Sequence, residues 1–497
     1  MLDLYETFLA AVREIGQLGA IEALLDWDSE TFMPPGGLSI RAEQLALVAS
    51  LAHQRRSDPR LGEMLAKLDG AATEPAQVTN VREVRRVHER AVRIPLDLVR
   101  RIARVSTVAK SVWAKARAES NFTMFAPHLA ELLDLKRQVA DALGSPQERY
   151  DALLDEYEPG MTTAQVARLF GELRGPLSDL VKQLAAARRK PDSTILRRFF
   201  PRDAQERFAR RLAGAIGLDF NAGRIDVSTH PFCTSLGPGD VRFTTRYNED
   251  FFNPAVFGVL HEAGHALYEQ GLDPAHSFTP MGHAVSLGIH ESQSRLWENF
   301  IGRGRAFWEH FHADCQKAFP QALGSVSLDA FHTAINAVNP SPIRVEADEV
   351  TYNLHIILRF ELERAMLDGV LAVKDVPAAW NAKLKELLGI TPRNDAEGCL
   401  QDIHWAMGAF GYFPTYALGN LYAAQFYDAL QRAIPDLADR IRRGDFSALL
   451  DWLRVNIHRL GQQYRSAELI ERVTGRPPGT GQFVQYIRAK YAPIYGL

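Results

Sequence analysis

NPAVFGVLHEAGHALYEQG, residues 253 to 271, is the stretch from which the rest of the chain is best read. Asn253 suits an N-cap, Pro254 the first helical position, and Gly271 a stop after Gln270, so a helix is predicted with HEAGH in its middle. At positions i and i+4, His261 and His265 project from one face, where two imidazoles can hold one metal ion. Glu262 lies about 100° round the axis, placed to act on a water as general base rather than on the metal. With 15 histidines in 497 residues, a chance HExxH is expected in only about 3% of such chains. The competing reading is an ordinary exposed His–Glu–His face. Against it stand the apolar flanks PAVFGVL and ALY, which predict burial, and an unpaired buried carboxylate is costly.

Three protein ligands plus an open position is the usual catalytic arrangement, so a third ligand must follow. In LGIHESQSRLWENFIGRG (287–304), Ile289, Leu296, Phe300 and Ile301 mark a second amphipathic helix ended by glycines. Glu291, near its start, is the expected ligand, with His290 and Glu298 as rivals.

Outward from these two helices, the apolar pattern of period 3.6 continues through most of the chain, punctuated at MPPGG (33–37), RIP (93–95) and GSP (144–146). No internal repeat, low-complexity tract or long linker is evident, so residues 1–497 are read as a single, mainly α domain. The exception is GRIDVSTHPFCTSLGPGDVRFTTRYNED (223–250). There Ile225, Val227 and Thr229 alternate with polar residues, as do Val241, Phe243 and Thr245 after GPGD, predicting a β-hairpin beside the motif helix. Its exposed edge would suit an extended peptide, although a purely structural hairpin explains the pattern equally.

Composition excludes several classes of function. The chain is 46% hydrophobic and 24% charged, with a net charge of −3, as expected of a folded soluble protein without a polyanionic partner. The basic run VREVRRVHERAVRIPLDLVRR (81–101) reads as a solvated helix face rather than a nucleic-acid site. Three distant cysteines, Cys233, Cys315 and Cys399, outside any CxxC spacing, predict neither disulfides nor a cysteine-based zinc site and fit a reducing, cytoplasmic compartment. The N-terminal stretch places Leu4, Phe8, Val12, Ile15 and Leu18 at helical spacing, which reads as a folded helix rather than a signal peptide. No apolar run is long enough for a membrane span.

With HEAGH and HESQ identified, the chain resembles the carboxypeptidase Taq family of thermostable metallocarboxypeptidases. Five short signatures of that family recur in order: DVRFT (240–244), HEAGH (261–265), HESQ (290–293), IRVEAD (343–348) and GCLQDIHW (398–405). WDSETFMPPGG (27–37) also looks like the family's opening helix and turn. The resemblance implies a mostly helical fold with a deep active-site cleft and one divalent metal per chain, zinc or cobalt, on His261, His265 and Glu291. It further implies Glu262 as the catalytic carboxylate, a homodimer, and release of single residues from peptide C-termini with broad specificity. The thermolysin-like pattern, an Asp four residues after the third ligand, is absent, since Arg295 stands there.

Donors for the developing oxyanion are expected in QDIHWAMGAFGYFPTYALGN (401–420), from His404, Tyr412 or Tyr416, although the tyrosines would serve equally as wall residues. A free C-terminal carboxylate is best held by a guanidinium fork, and Arg344 of IRVEAD is the first choice. If a helix follows Pro342, then Arg344, Asp348, Thr351 and His355 share a face, and an internal Arg344–Asp348 pair is the structural alternative. Two other classes are weighed: an endo-acting oligopeptidase with the same metal chemistry, separated by a C-terminally amidated substrate, and a helical binding protein with a fortuitous HExxH, separated by metal content.

Overall fold

Where the sequence places breakers, helices stop. The computed structural model describes residues 2–145 and 147–497; Met1, and Pro146 of the predicted GSP breaker, lie outside the described residues. The first helix, Leu2–Thr31, ends at MPPGG, and the helix Pro75–Arg93 ends at RIP, with Pro95 at the N-cap of Leu96–Ala118. Phe8 and Val12 of the first helix are buried with Leu61, Leu65 and Leu68 of the helix Pro59–Leu68, as the apolar spacing requires. No helix among the described residues is long and apolar enough to cross a membrane.

The chain divides into two compact units. One comprises Met1–Val92, Asp192–Ile335 and Ala423–Pro477, the other Arg93–Pro191, Asn336–Tyr422 and Pro478–Leu497.

The first unit holds a three-stranded sheet, β1 (Gly223–Val227), β2 (Cys233–Ser235) and β3 (Val241–Thr245), in the order β1-β3-β2. This corrects the predicted hairpin. Both alternating segments are strands, yet they pair in parallel, Gly223 opposite Val241 through Val227 opposite Thr245. The hairpin partner of β3 is instead the three-residue β2, with Cys233 opposite Phe243. Two strands in parallel need a connection that returns the chain to its starting end, and residues 228–240 provide it while contributing β2 on the way. Val241 and Phe243 are fully buried, and β3 and β2 pack on the motif helix.

That helix runs Asn253–Gly271, with Val256, Val259, Leu260, Ala263, Ala266 and Leu267 buried. It is therefore buried or half-buried all round, enclosed by other elements, with its polar residues after Asn253 confined to the HEAGH turn and the turn after it. Asn253 does not cap it: the N-cap residue is Phe252, without a side-chain capping bond, and Asn253 Oδ1 has no hydrogen-bond partner among the described residues. The second predicted helix is also present but changes character midway, from α over Leu287–Arg295 to π over Leu296–Ile301. Ser286 caps its start by accepting from the Ile289 amide at 3.0 Å.

The basic run is more than a solvated face. Arg82 and Arg86, with Arg465, converge on the buried carboxylate of Glu83.

In the second unit the helix Tyr352–Leu367 is buried along almost its whole length and packs on the helices Thr163–Ala186 and Val376–Leu388. The helix expected directly after Pro342 does not form. A single 3₁₀ turn, Arg344–Glu346, occupies that place. Asp348 accepts from the amides of Val350, Thr351 and Asn339, each at 3.0 Å, and an aspartate satisfying nearby amides in this way starts a helix rather than continuing one. The predicted face of Arg344, Asp348, Thr351 and His355 is therefore absent.

Candidate active site

The three expected ligands converge. One ligand atom from each of His261, His265 and Glu291 lies within 4.8 Å of the others, with His261 Nε2 and His265 Nε2 at 3.7 and 3.4 Å from Glu291 Oε2. Two imidazoles and a carboxylate, largely buried and facing one another, are the donor set of a three-ligand divalent site, so these residues fit the implied metal.

Gly264 makes this convergence possible. A Cβ there would stand 2.7 Å from the Gln293 carbonyl oxygen and from Ser294 Cα, so the backbone of the helix carrying Glu291 rests directly on the motif helix. Gly264→Ala is expected to destabilise the protein by about 1–3 kcal/mol through overpacking against rigid backbone. Gly258→Ala on the same helix meets only Thr245 Oγ1 at 3.9 Å and should be neutral or slightly stabilising. Thermal unfolding compares the two; equal melting temperatures would contradict the tight approach.

Each ligand is held from behind. His261 donates from Nδ1 to Glu298 Oε2 at 2.9 Å. His265 Nδ1 faces His290 Nδ1 at 2.5 Å, and His290 Nε2 lies 2.8 Å from Glu269 Oε1. Arg295, at the position of the thermolysin-like Asp, donates from Nε to Glu291 Oε1 at 2.7 Å and from Nη1 to Glu298 Oε2 at 3.1 Å. Ser294 Oγ donates to Glu291 Oε2 at 3.0 Å. His290 and Glu298, the rival candidates, thus meet the Nδ1 atoms of the two histidines, whose Nε2 atoms face Glu291.

Electrostatics follow from this packing. Burial lowers His265 to about 3, leaving it neutral, as a ligand must be. Burial would raise Glu291, but Arg295 and His261 hold it well below the usual carboxylate range. Glu298 is likewise held at about 2, chiefly by Arg295, against burial. Glu262 is only 7% exposed, and burial lifts it to about 7, in the range where a general base works at neutral pH.

The second unit gathers the remaining predicted residues. Arg344, 5% exposed, pairs with Asp402 of GCLQDIHW rather than with Asp348: Nε and Nη2 donate to Asp402 Oδ1 at 3.1 and 2.9 Å. Its Nη1 donates to the Tyr352 hydroxyl at 2.8 Å, and its guanidinium carbon lies 4.8 Å from the Tyr416 ring centre. Asp402 also binds the fully buried Arg359, Nε to Oδ2 at 2.7 Å. Together, against burial, Arg344 and Arg359 hold Asp402 far below the usual range. His404 is kept neutral by burial, at about 3, with Nε2 3.1 Å from the Tyr416 hydroxyl. Tyr412 packs on His404 and Tyr416 with ring centres 5.3 Å away in each case. Phe413 is core, whereas Tyr412 and Tyr416 are half-buried.

Sequence reading left Asp402, Arg359 and Glu269 without a role. Glu269 was legible, four residues after His265 on the face that already carries His261. Arg359 gave no signal, lying in a helix that looks like ordinary core.

A mainly helical chain with a buried HExxH helix and a glutamate delivered by the next helix defines a metallopeptidase. The carboxypeptidase Taq (M32) metallopeptidase family matches residues 7–491. Thermostable carboxypeptidase 1 of Thermus thermophilus is 48% identical over 505 residues, covering 99% of both chains. Carboxypeptidase 1 of Bacillus subtilis is 38% identical, covering 99% of this chain and 98% of its own. The crystal structure of the M32 carboxypeptidase from Deinococcus radiodurans superposes with a TM-score of 0.97 at 42% identity, covering the whole of both chains. The chain belongs to the carboxypeptidase Taq (M32) family and is a metal-dependent carboxypeptidase. A fortuitous HExxH in a binding protein is thereby set aside.

Proposed function

We propose that this enzyme releases single residues from free peptide C-termini with broad specificity, using one zinc or cobalt ion per chain on His261, His265 and Glu291. The observation that carries the reading is the convergence of those three ligand atoms beside Glu262. When bound, the cation supplies Lewis acidity, lowering the pKa of a coordinated water and polarising the scissile carbonyl. Glu262 takes the proton of the attacking water and passes it to the leaving amine. His404 or Tyr416, with Tyr412 packed on both, donates to the developing oxyanion.

Arg344 receives the terminal carboxylate. A guanidinium has five N–H donors; two point to Asp402 and one to Tyr352, leaving one on each terminal nitrogen, the number a carboxylate fork requires. Asp402 divides its charge between Arg344 and Arg359, so a further anion is favoured there. The proposal extends to residues 1–497 as a single catalytic domain acting as a homodimer in the cytoplasm, consistent with three free cysteines and with what the family resemblance implies.

Elemental analysis of purified protein is expected to find about one divalent metal per chain, lost when His261, His265 or Glu291 is replaced by alanine. Full occupancy in Glu291→Ala would reject Glu291 as ligand. Activity on blocked dipeptides and tripeptides should disappear on chelation and return with added zinc or cobalt. Equal turnover of C-terminally amidated peptides would favour an endo-acting oligopeptidase.

A further inference from the structure

The two histidine ligands are supported differently, and the difference fixes where the protons lie. His261 meets a carboxylate directly, at Glu298. His265 meets another imidazole: its Nδ1 is 2.5 Å from His290 Nδ1, and the far nitrogen of His290 is 2.8 Å from Glu269 Oε1. We infer that Glu269 and His290 form a positioning relay that sets the tautomer and orientation of His265, with His290 acting behind the metal rather than on it. The inference rests on the proposed ligand set.

The hydrogen bonds admit one arrangement of protons. His265 turns Nε2 towards Glu291, so Nε2 carries the lone pair for a cation, and the proton of the neutral ring is on Nδ1. Facing it, His290 Nδ1 must accept. The proton of His290 is then on Nε2, where it donates to Glu269, which as a carboxylate accepts. Every hydrogen bond in the series has one donor and one acceptor, and reversing any one leaves two lone pairs or two protons in opposition.

Packing holds the relay in register. The His290 ring lies 4.6 Å from that of His265 and 5.2 Å from Tyr268, and the Tyr268 hydroxyl is fixed by the Val285 amide at 3.2 Å. Adjacent positions on the second helix thus carry different duties, Glu291 as ligand and His290 as support for a ligand on the first helix. Glu269, one turn beyond His265 on the same helix, closes the relay.

The test is Zn²⁺ affinity, measured by competition with a chromophoric chelator on the full-length protein. His290→Ala should weaken binding 10- to 100-fold, as supporting partners of ligating histidines generally do. Glu269→Ala should weaken it by a smaller factor, and the double variant should be no worse than His290→Ala, because the two act in series. His290→Asn should recover most of the affinity, since its Oδ1 can accept where Nδ1 did, and in that background Glu269→Ala should have no further effect. This pair also serves if the alanine variant at 290 does not fold. A merely structural role would instead lower the melting temperature of the chelated protein and show no rescue by asparagine.

Wild-type affinity in His290→Ala, or losses at 269 and 290 that multiply, would overturn the relay. So would His290→Asn as empty of metal as His265→Ala, which would make His290 a ligand. Failure of the wild type to bind Zn²⁺ would instead defeat the metal-centre reading beneath it.

Discussion

Glu262→Gln is expected to keep the fold and the metal while losing turnover by on the order of 10²- to 10⁴-fold, the usual contribution of a positioned general base. The amide is nearly isosteric, and Glu262 is only 7% exposed, so a replacement of the same shape keeps the packing around it. Burial already disfavours the charged form of this carboxyl, so a neutral amide costs the fold little. What is lost is the capacity to take a proton. In the wild type, burial raises this carboxyl to about 7, and the positive charge of a bound cation would draw it back down. The alkaline side of activity should then be insensitive to Glu262, while the acidic limb of kcat/KM should report its protonation. Metal content and the melting temperature are measured alongside kcat; a variant with normal kcat would mean that another group moves the proton.

Arg344→Ala should lower kcat/KM by about 2–5 kcal/mol, as loss of a buried charge partner does, with metal content unchanged. Arg344→Lys should recover little, because an ammonium cannot hold Asp402 through two nitrogens and present a fork to a second carboxylate. The informative design is two by two, native and alanine enzymes against acid and C-terminally amidated substrates. Amidation should hurt the native enzyme severely and the variant much less, since the variant already lacks the interaction that amidation removes. Strictly additive losses would assign Arg344 to structure alone, as the partner of Asp402 and Tyr352, and leave the carboxylate to His404 or Tyr416.

How legible these features are in the sequence depends on how local their causes are. The motif helix is legible because the i, i+4 spacing and the apolar flanks both arise within one helix. The place of Glu291 beside the two histidines is legible because one amphipathic segment comes next and carries it near its start. The sheet is legible only in part: alternation marks β1 and β3 as strands but carries nothing about which edges meet, and Cys233–Ser235 is too short to show a period. Arg344 is legible as a guanidinium in a motif, whereas its partner is not, because Asp402 lies 58 residues away and the nearer Asp348 is engaged by backbone amides that only the fold brings to it. His290 shows the same limit. A histidine beside a glutamate reads as a rival ligand, and its contact with the ring of His265 is supplied only by the fold.

The turn from α to π at Leu296–Ile301 carries a consequence for lineage. A π turn is an α-helix that has taken in one extra residue, and such an insertion is kept where unwinding it would misplace a side chain. Glu298 lies inside it and holds His261. Deleting one residue from LWENFI upstream of Glu298 would restore regular winding while turning Glu298 and the residues after it by about 100° relative to the motif helix. Aligned relatives should therefore show no gap between the third ligand and the glycines that end this helix, even where neighbouring loops vary in length.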